Sequence, residues 1–262
     1  MKIKPLGYRN YGSIPHLPGS RMGSGDRHCH PGQASIATEK LRDKNDTIIV
    51  TEKLDGSNVG IARVGDLLIA LGRAGYRAET SPYEQHRLFA RWVYRQWERF
   101  MGILEDGERL VGEWMMQAHG TRYDLAGEPF YAFDLMQGHE RLPYEQFLYR
   151  IGPAEILTPV CLHWGGHLSI GDAMAKLVGE QGFTTFPDGP RTWGFHGAIE
   201  PVEGAVWRVE RDRPTGKKGE KQRVVDFLVK YVRPEKVDGK YLPEVSGEGT
   251  VWNYNPGKLF DQ

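Results

Sequence analysis

The sequence predicts an α+β protein built mainly on antiparallel β-sheets with flanking helices. Segments rich in β-branched residues outnumber helical ones, the helices fall between them irregularly, and the chain lacks the βαβ rhythm of a parallel sheet. Glycine (33 residues) and proline (16 residues) are frequent among the 262 positions, which is typical of a sheet-rich chain with many turns.

The strands are predicted in order along the chain. A run of β-branched residues predicts a strand at 47–54, and a glycine-containing turn at 55–58 leads into a hairpin of 59–64 and 67–71 around Gly65-Asp66. Apolar runs predict the later strands at 110–116, 130–136, 204–209 and 224–232. The polar, basic stretch RDRPTGKKGEKQR between the last two is predicted to be a mobile loop.

Two helices are predicted from apolar residues at three- and four-residue spacing. The first covers 83–101, where Trp92, Trp97 and Phe100 belong to the apolar face. The second begins at Ser169. Four arginines of the first helix form one stripe, either an RNA-facing ridge or a solvated face: Arg87, Arg91, Arg95 and Arg99.

Charge is balanced overall, with 34 Lys+Arg against 34 Asp+Glu, which argues against a polycation that coats nucleic acid or membrane. The balance conceals a net −8 over 45–203 between basic segments of +5 at 1–44 and +5 at 204–240. We expect phosphate contacts in those two segments.

Because no apolar run reaches membrane-spanning length and two cysteines do not make a disulfide framework, a cytoplasmic location is expected.

The stretch TEKLDGSNVG is the candidate for chemistry. Lys53 stands at the end of an apolar strand, and partial withdrawal from water is expected to lower its pKa toward the neutral, nucleophilic amine. The alternative interpretation is a surface lysine followed by an ordinary Asp-Gly turn, since the pattern K-x-D-G is short.

Five further segments follow in a fixed order: LGRAG, LVGEW, FYAFDLM, VEGAVWR and FLVKYVRP. Together with EKLDGSN they resemble motifs I, Ia, III, IV and V, and the ribose-binding strand, of the covalent nucleotidyltransferase superfamily of polynucleotide ligases and RNA-capping enzymes. The nearest likeness is to RNA ligases of the double-strand-repair and RNA-editing type. The resemblance runs from Lys53 to Arg233 and implies an ATP-grasp-like nucleotidyltransferase domain of the ligase type.

The resemblance also implies roles for single residues. Lys53 is implied as the nucleophile that becomes linked to AMP, and Lys230 as a second catalytic cation. The family's motif V usually reads K-x-K, so whether Arg233 or another residue supplies its other cation stays open. The implied cofactor-binding residues are Glu52 at the adenine edge, Asp55, Gly56, Asn58, Arg73, Glu113 at the ribose, Phe133 (with Tyr131 as the alternate) on the base, Glu203 at the metal, and Lys230.

The implied function is that of an ATP-dependent RNA ligase using ATP and magnesium or manganese. It would form lysyl-AMP, transfer AMP to an RNA 5′-phosphate and seal that end to a 3′-hydroxyl. A capping-type guanylyltransferase, a DNA ligase or a non-catalytic RNA-end-binding protein of the same fold is the alternative. The first two are disfavoured because enzymes of those two kinds carry a further oligonucleotide-binding barrel after motif V. The 29 residues after Arg233 are too few for such a barrel.

Three regions are expected: a Gly/Pro-rich basic N-terminal extension at 1–44 with little regular structure, a nucleotidyltransferase domain at 45–240, and a C-terminal tail at 241–262. The extension contains His16, His28, Cys29 and His30. Their spacing does not match a zinc site, so a loop that touches phosphate through Arg21 and Arg27 is the favoured interpretation. A protein partner is left open.

Overall fold

Two antiparallel sheets carry the fold of the computed structural model, which describes residues 3–178, 183–184, 192–193, 195–217 and 219–260. The first sheet contains β1 (Thr47–Lys53), β7 (Cys161–Gly165), β10 (Gly204–Pro214) and β11 (Lys221–Val232). Its spatial order is β11-β10-β1-β7, and all its pairings are antiparallel. The predicted α+β class with mainly antiparallel sheets is confirmed.

The second sheet contains β2 (Ser57–Val64), β3 (Leu67–Gly72), β4 (Glu108–Trp114), β5 (Phe130–Gln137) and β6 (Glu140–Arg141). Its order is β3-β2-β4-β5-β6. The hairpin predicted around Gly65-Asp66 is confirmed, with Val64 opposite Leu67 and Gly65 at φ 57°, a left-handed conformation that glycine adopts without strain. A short further pair joins β8 (Phe183–Thr184) to β9 (Thr192–Trp193).

The α-helices flank these sheets. They are α1 (Pro31–Thr38), α2 (Glu84–Arg95), α3 (Trp97–Met101), α4 (Tyr144–Ile151), α5 (Ile170–Val178) and α6 (Pro243–Ser246). Single turns of 3₁₀ helix lie at Ala78–Thr80, Gly152–Ala154, Phe195–Gly197 and Pro256–Phe260. No helix among the described residues combines the length and the apolar character that crossing a bilayer demands.

The predicted helix at 83–101 is interrupted at Gln96, whose ψ of 24° departs from helical geometry. Before and after the break, Phe89, Trp92 and Phe100 pack in the core against the second sheet. The break turns Trp97 outward, and this residue is 42% exposed. Its predicted place on the apolar face is therefore wrong.

The arginine stripe on α2 and α3 makes contacts within the chain. Arg95 donates to the carbonyl of Phe260 at 2.7 Å, and the Arg91 guanidinium lies 4.4 Å from the centre of the Phe260 ring. Arg99 forms a bidentate pair with Glu128, both contacts at 2.8 Å. Arg91 and Arg95 attach the C-terminal 3₁₀ turn to α2, and Arg99 attaches a loop to α3. The first three arginines of the stripe are nevertheless exposed, which agrees with the predicted solvated face.

Two predicted loops contain regular structure. The first 44 residues include α1, which begins with a capping box between His30 and Gln33. The signal is weak in sequence because histidine is an unusual N-cap and the buried side chains of this helix are only alanines, Ala34 and Ala37. The basic loop is also shorter than predicted, since β10 and β11 pair out to Pro214 and Lys221.

Candidate active site

A cleft between the two sheets is lined by seven of the ten predicted site residues, whereas Asp55, Gly56 and Glu203 are not in its lining. The turn at 54–56 joins β1 of the first sheet to β2 of the second, so the chain crosses between sheets at the candidate nucleophile. The cleft is lined from both sheets and from the N-terminal segment by Tyr11, Gly12, Ile14, Thr51, Glu52, Lys53, Leu54, Asn58, Arg73, Glu113, Phe133, Tyr144, Pro159, Val206, Arg208, Leu228 and Lys230.

Lys53 ends β1 directly opposite Gly204, the first residue of β10. This register brings the preceding residue, Glu203, within reach, and Lys53 Nζ donates to Glu203 Oε2 at 2.5 Å. The lysine side chain is 22% exposed, whereas that of the glutamate is 9% exposed. The candidate nucleophile thus lines the cleft and forms a partly buried ion pair.

The expectation of a lowered pKa for Lys53 is wrong for this arrangement. Burial does lower the pKa of Lys53, but the carboxylates of Glu203, Glu113 and Asp55 outweigh burial and hold it above its ordinary value. Lys53 is therefore a protonated ammonium at neutral pH, and attack on an electrophile requires that it first lose a proton.

The carboxylates crowd one another around this single ammonium. Burial raises the pKa of Glu113 to about 7; Lys53 opposes this shift, while Glu203 and Asp55 add to it. Burial likewise raises the pKa of Glu203. Glu113 Oε1 accepts a hydrogen bond from the Gly56 N–H at 3.2 Å, which couples β4 to the turn. The cluster favours a further positive charge at this end of the cleft.

Gly56 allows that turn to approach β4. A Cβ at this position would lie 2.6 Å from the carbonyl oxygen of Trp114, closer than real Cβ atoms come. Its place in the predicted motif therefore has a steric reason.

Two buried oxygens at the cleft have no hydrogen-bond partner among the described residues. Glu52 Oε1 accepts from the Val160 N–H at 3.1 Å and lies 3.1 Å from His196 Nε2, whereas Glu52 Oε2 is unpartnered. Asn58 Oδ1 is also unpartnered. An orphaned buried acceptor costs about 1–3 kcal/mol, which a ligand that donates a hydrogen bond would recover.

Of the two aromatic candidates, Phe133 lines the cleft. Its ring meets that of Tyr11 edge-on, with centroids 5.3 Å apart. Tyr131 is 2% exposed and packs edge-on against His196 at 4.5 Å. Phe133 is thus reachable from the cleft and Tyr131 is not in its lining, while the role of Phe133 as a surface for a ligand stays a prediction.

Lys230 and Arg73 are two further cations in the cleft lining. Lys230 lies 3.8 Å from Asp26, and burial and then the charge of Lys53 lower the pKa of Lys230. Arg73 is exposed and donates to Ser13 Oγ at 3.2 Å. Both remain close enough to the cleft to meet an anionic ligand.

The motif V region holds two further cations with different contacts. Arg233 donates to the carbonyls of Val202 at 2.7 Å and Pro201 at 3.0 Å, which fixes the backbone ahead of the metal-site candidate. Lys236 is 2% exposed and forms an ion pair with Asp55. Sequence reasoning missed Lys236, because it lies beyond the motif and resembles any surface lysine in a basic segment.

Residues before position 45 also build the cleft. Tyr11 is 5% exposed, and its hydroxyl donates to Asp134 Oδ2 at 2.6 Å. Asp134 accepts from Arg141 Nε at 3.0 Å and from Arg208 as well. This buried network ties the N-terminal segment to β5 and β10, and neither Tyr11 nor Arg208 carried a sequence signal of its own.

Two antiparallel sheets meet at the turn that follows Lys53, and carboxylates and basic residues line the cleft between them. A family model described as RNA ligase matches residues 46–232. The chain therefore belongs to the RNA ligase family, and the resemblance seen in the sequence is confirmed.

Solved structures of RNA ligases are similar to the chain at low identity. One titled archaeal ATP-dependent RNA ligase, form 2, is 18% identical with a TM-score of 0.43, and the match covers 74% of this chain and 44% of that one. An apo Naegleria gruberi RNA ligase variant is 17% identical with a TM-score of 0.45, covering 89% and 61%. Another Naegleria gruberi variant, with AMP and Mn, is 15% identical with a TM-score of 0.46, covering 89% and 62%. No curated protein matches the chain.

Proposed function

We propose that the chain is an ATP-dependent RNA ligase that works through a covalent lysyl-AMP intermediate on Lys53. The observation that carries the proposal is the position of Lys53 Nζ, 2.5 Å from Glu203 in a cleft that also presents the free oxygens of Glu52 and Asn58. Membership of the RNA ligase family supports it. The assignment of 45–240 as the nucleotidyltransferase domain, between an N-terminal extension and a C-terminal tail, belongs to the same proposal, as does a cytoplasmic location.

In the first step the neutral amine of Lys53 attacks the α-phosphorus of ATP. A phosphorus–nitrogen bond forms, the bond from the α-phosphorus to the bridging oxygen breaks, and pyrophosphate leaves with that electron pair. Since Lys53 begins as an ammonium, its proton must leave first. The proton passes to solvent, to which the Lys53 side chain is 22% exposed, since Glu203 must stay a carboxylate to hold the metal ion.

The proposed contacts to the nucleotide come from groups with unused hydrogen-bonding capacity, an aromatic ring and positive charges. Glu52 Oε2 accepts a hydrogen bond from the exocyclic amine of adenine, whereas guanine presents a carbonyl oxygen at that position, so the site prefers ATP. Phe133 lies against the base, and Glu113 and Asn58, opposite each other on β4 and β2, face the sugar. Lys230 and Arg73 neutralise phosphate charge, which is the main task in phosphoryl-group transfer.

The carboxylates at the cleft fit a magnesium or manganese ion, because both prefer oxygen ligands. Among the described residues no three His, Cys, Asp or Glu side chains are arranged to hold a metal by themselves. This agrees with magnesium chemistry, in which one or two carboxylates act together with substrate phosphates and water. Glu203 is the residue proposed to hold the ion, which when bound would neutralise phosphate charge and weaken the electrostatic stabilisation of the Lys53 ammonium.

Two further transfers complete the proposed reaction. The 5′-phosphate of RNA attacks the phosphorus of lysyl-AMP, a phosphoanhydride forms, and the phosphorus–nitrogen bond to Lys53 breaks. A 3′-hydroxyl then attacks the activated 5′-phosphorus, loses its proton, and expels AMP as the phosphodiester forms. Lys230, whose pKa is lowered by burial and by Lys53, lies on the side of the cleft where these phosphates would pass.

The test is covalent labelling. The protein is incubated with magnesium and α-labelled ATP or GTP, and label that survives denaturing electrophoresis is counted. ATP should label the wild type and the Lys176→Ala control, an exposed lysine on α5, whereas Lys53→Ala should take no label. Labelled protein should then join nicked RNA carrying a 5′-phosphate and a 3′-hydroxyl. Equal labelling of Lys53→Ala would refute the nucleophile, and labelling by GTP alone would assign capping chemistry instead.

A further inference from the structure

A second pocket borders the nucleotide cleft and is built mostly by the N-terminal segment. We call it the N-terminal pocket. Its polar lining comes from Ser13, Arg27, His28, Gln33 and Arg141. Apart from Arg141, these residues lie outside the region 46–232 that matches the family model, so the family does not account for the pocket.

Among the residues that the structure describes, the lining presents hydrogen-bond donors and positive charge and includes no carboxylate. Ser13 Oγ accepts from Arg73, so its own hydroxyl hydrogen is left to donate. Gln33 uses its amide oxygen to accept from the His30 N–H at 3.1 Å, which leaves its NH₂ group as a donor. Such a set suits an anion with several acceptor oxygens, of which phosphate is the ordinary example.

Arg27 is the cation of this pocket that is free to bind. It is exposed, and within the described ranges it makes no ion pair. Arg141 is partly neutralised by Asp134, 3.0 Å away. Arg21, from the same segment, is not in the lining and pairs with Asp238 at 2.8 Å. One residue therefore supplies most of the uncompensated charge, and a neighbouring arginine provides a matched control.

The N-terminal pocket and the nucleotide cleft are continuous. Ile14 and Leu228 line both. Arg73 lines the cleft and donates to Ser13 of the pocket at 3.2 Å. A polyanionic strand with its end in the cleft would therefore pass the pocket as it leaves.

We propose that the N-terminal pocket binds a backbone phosphate of the RNA strand whose end lies in the cleft, with Arg27 as the main contact. The inference rests on the proposed RNA substrate. The other source of the same chemistry is the polyphosphate tail of ATP. RNA is favoured because Lys230 and Arg73 already line the cleft where ATP is proposed to bind, whereas the pocket lies beside it.

Binding and labelling are measured separately on Arg27→Gln and on the control Arg21→Gln. Arg27→Gln should bind 5′-phosphorylated nicked RNA about tenfold more weakly by fluorescence anisotropy, with the slope of log affinity against log salt reduced by about 1. Arg21→Gln should bind like the wild type. Both variants should be labelled by ATP with an unchanged KM, since neither arginine lines the nucleotide cleft.

Three outcomes would overturn the inference, and a fourth would separate it from the proposed function. A raised KM for ATP with unchanged RNA affinity in Arg27→Gln would assign the pocket to the polyphosphate tail. An equal loss of RNA affinity in both variants would show a net-charge effect without a specific pocket, and unchanged affinity in both would remove the site altogether. If the wild type takes no label from ATP but its RNA binding depends on Arg27, the proposed ligase function fails while the pocket stands.

Discussion

The buried carboxylate of Asp134 offers a direct test of how the N-terminal segment is held at the cleft. Asp134 is fully buried and accepts from Tyr11 at 2.6 Å, from Arg141 at 3.0 Å and from Arg208. Arg208 is itself only 5% exposed. The substitution Asp134→Asn keeps the shape of the side chain but removes the charge, so the buried Arg208 guanidinium loses its ion-pair partner and keeps only the weaker attraction of Glu210.

Removing one partner of a buried ion pair costs about 3–5 kcal/mol of unfolding free energy. Arg141 adds little, since its side chain is 23% exposed and can regain water. Tyr11→Phe removes one hydrogen bond to a charged acceptor, which is worth about 1.5–3 kcal/mol. The expected order of destabilisation is therefore Asp134→Asn above Tyr11→Phe.

Urea unfolding followed by circular dichroism measures these differences if the slope of free energy against urea stays constant among variants. Asp66→Asn, in the exposed turn between β2 and β3, serves as the control and should stay within about 0.5 kcal/mol of the wild type. A loss below about 1 kcal/mol for Asp134→Asn would refute the reasoning, because it would mean that Arg208 finds water or another partner without disturbing the fold.

Two further predictions concern single groups. Burial, with help from a neighbouring histidine, lowers the pKa of His86 from 6.5 to about 4, so the unfolded chain takes up its proton first as pH falls. Unfolding free energy should therefore fall between about pH 6.5 and pH 4, by at most about 3 kcal/mol from this residue, and urea titrations of His86→Gln should show a shallower fall than the wild type. Lys236→Met leaves the Asp55 carboxylate without its buried partner and should lose about 3 kcal/mol and most ATP labelling. The control Lys240→Met should lose neither stability nor labelling, because the Lys240 side chain that pairs with Glu200 is 46% exposed. Matching urea midpoints in Lys236→Met and Lys240→Met would contradict the prediction.

Residues with local signals were predictable. The β-branched run that ends at Lys53 and the Gly65-Asp66 hairpin gave the right strands, because period and turn chemistry act over a few residues. The N-terminal segment gave no such signal. Tyr11 is buried through a contact with Asp134, 123 positions away. A sequence pattern that spans a few residues carries no information about a contact over that separation.

The pairing at the far end of the β10–β11 hairpin shows a second limit. Arg223 lies opposite Asp212, and their side chains meet at 3.2 Å, so charged pairs extend a ladder that an apolar pattern does not mark. The polarity that indicated a loop is, in the folded chain, a set of cross-strand pairs.

The sign of the Lys53 pKa shift also could not be obtained from its neighbours in sequence. Burial alone lowers the pKa, and the reversal comes chiefly from Glu203 and Glu113, which β-pairing brings from distant parts of the chain, with Asp55 of the adjoining turn adding to it. The same cluster of carboxylates around Lys53 constrains the proposed reaction. Because Lys53 is held as an ammonium by carboxylates, a neutral nucleophile requires that their charge be offset, and the ligands that bring positive charge must bind before the amine can attack. The net −8 of the central segment then favours binding of cations, while contacts from the basic segments on either side to RNA phosphate remain part of the proposal.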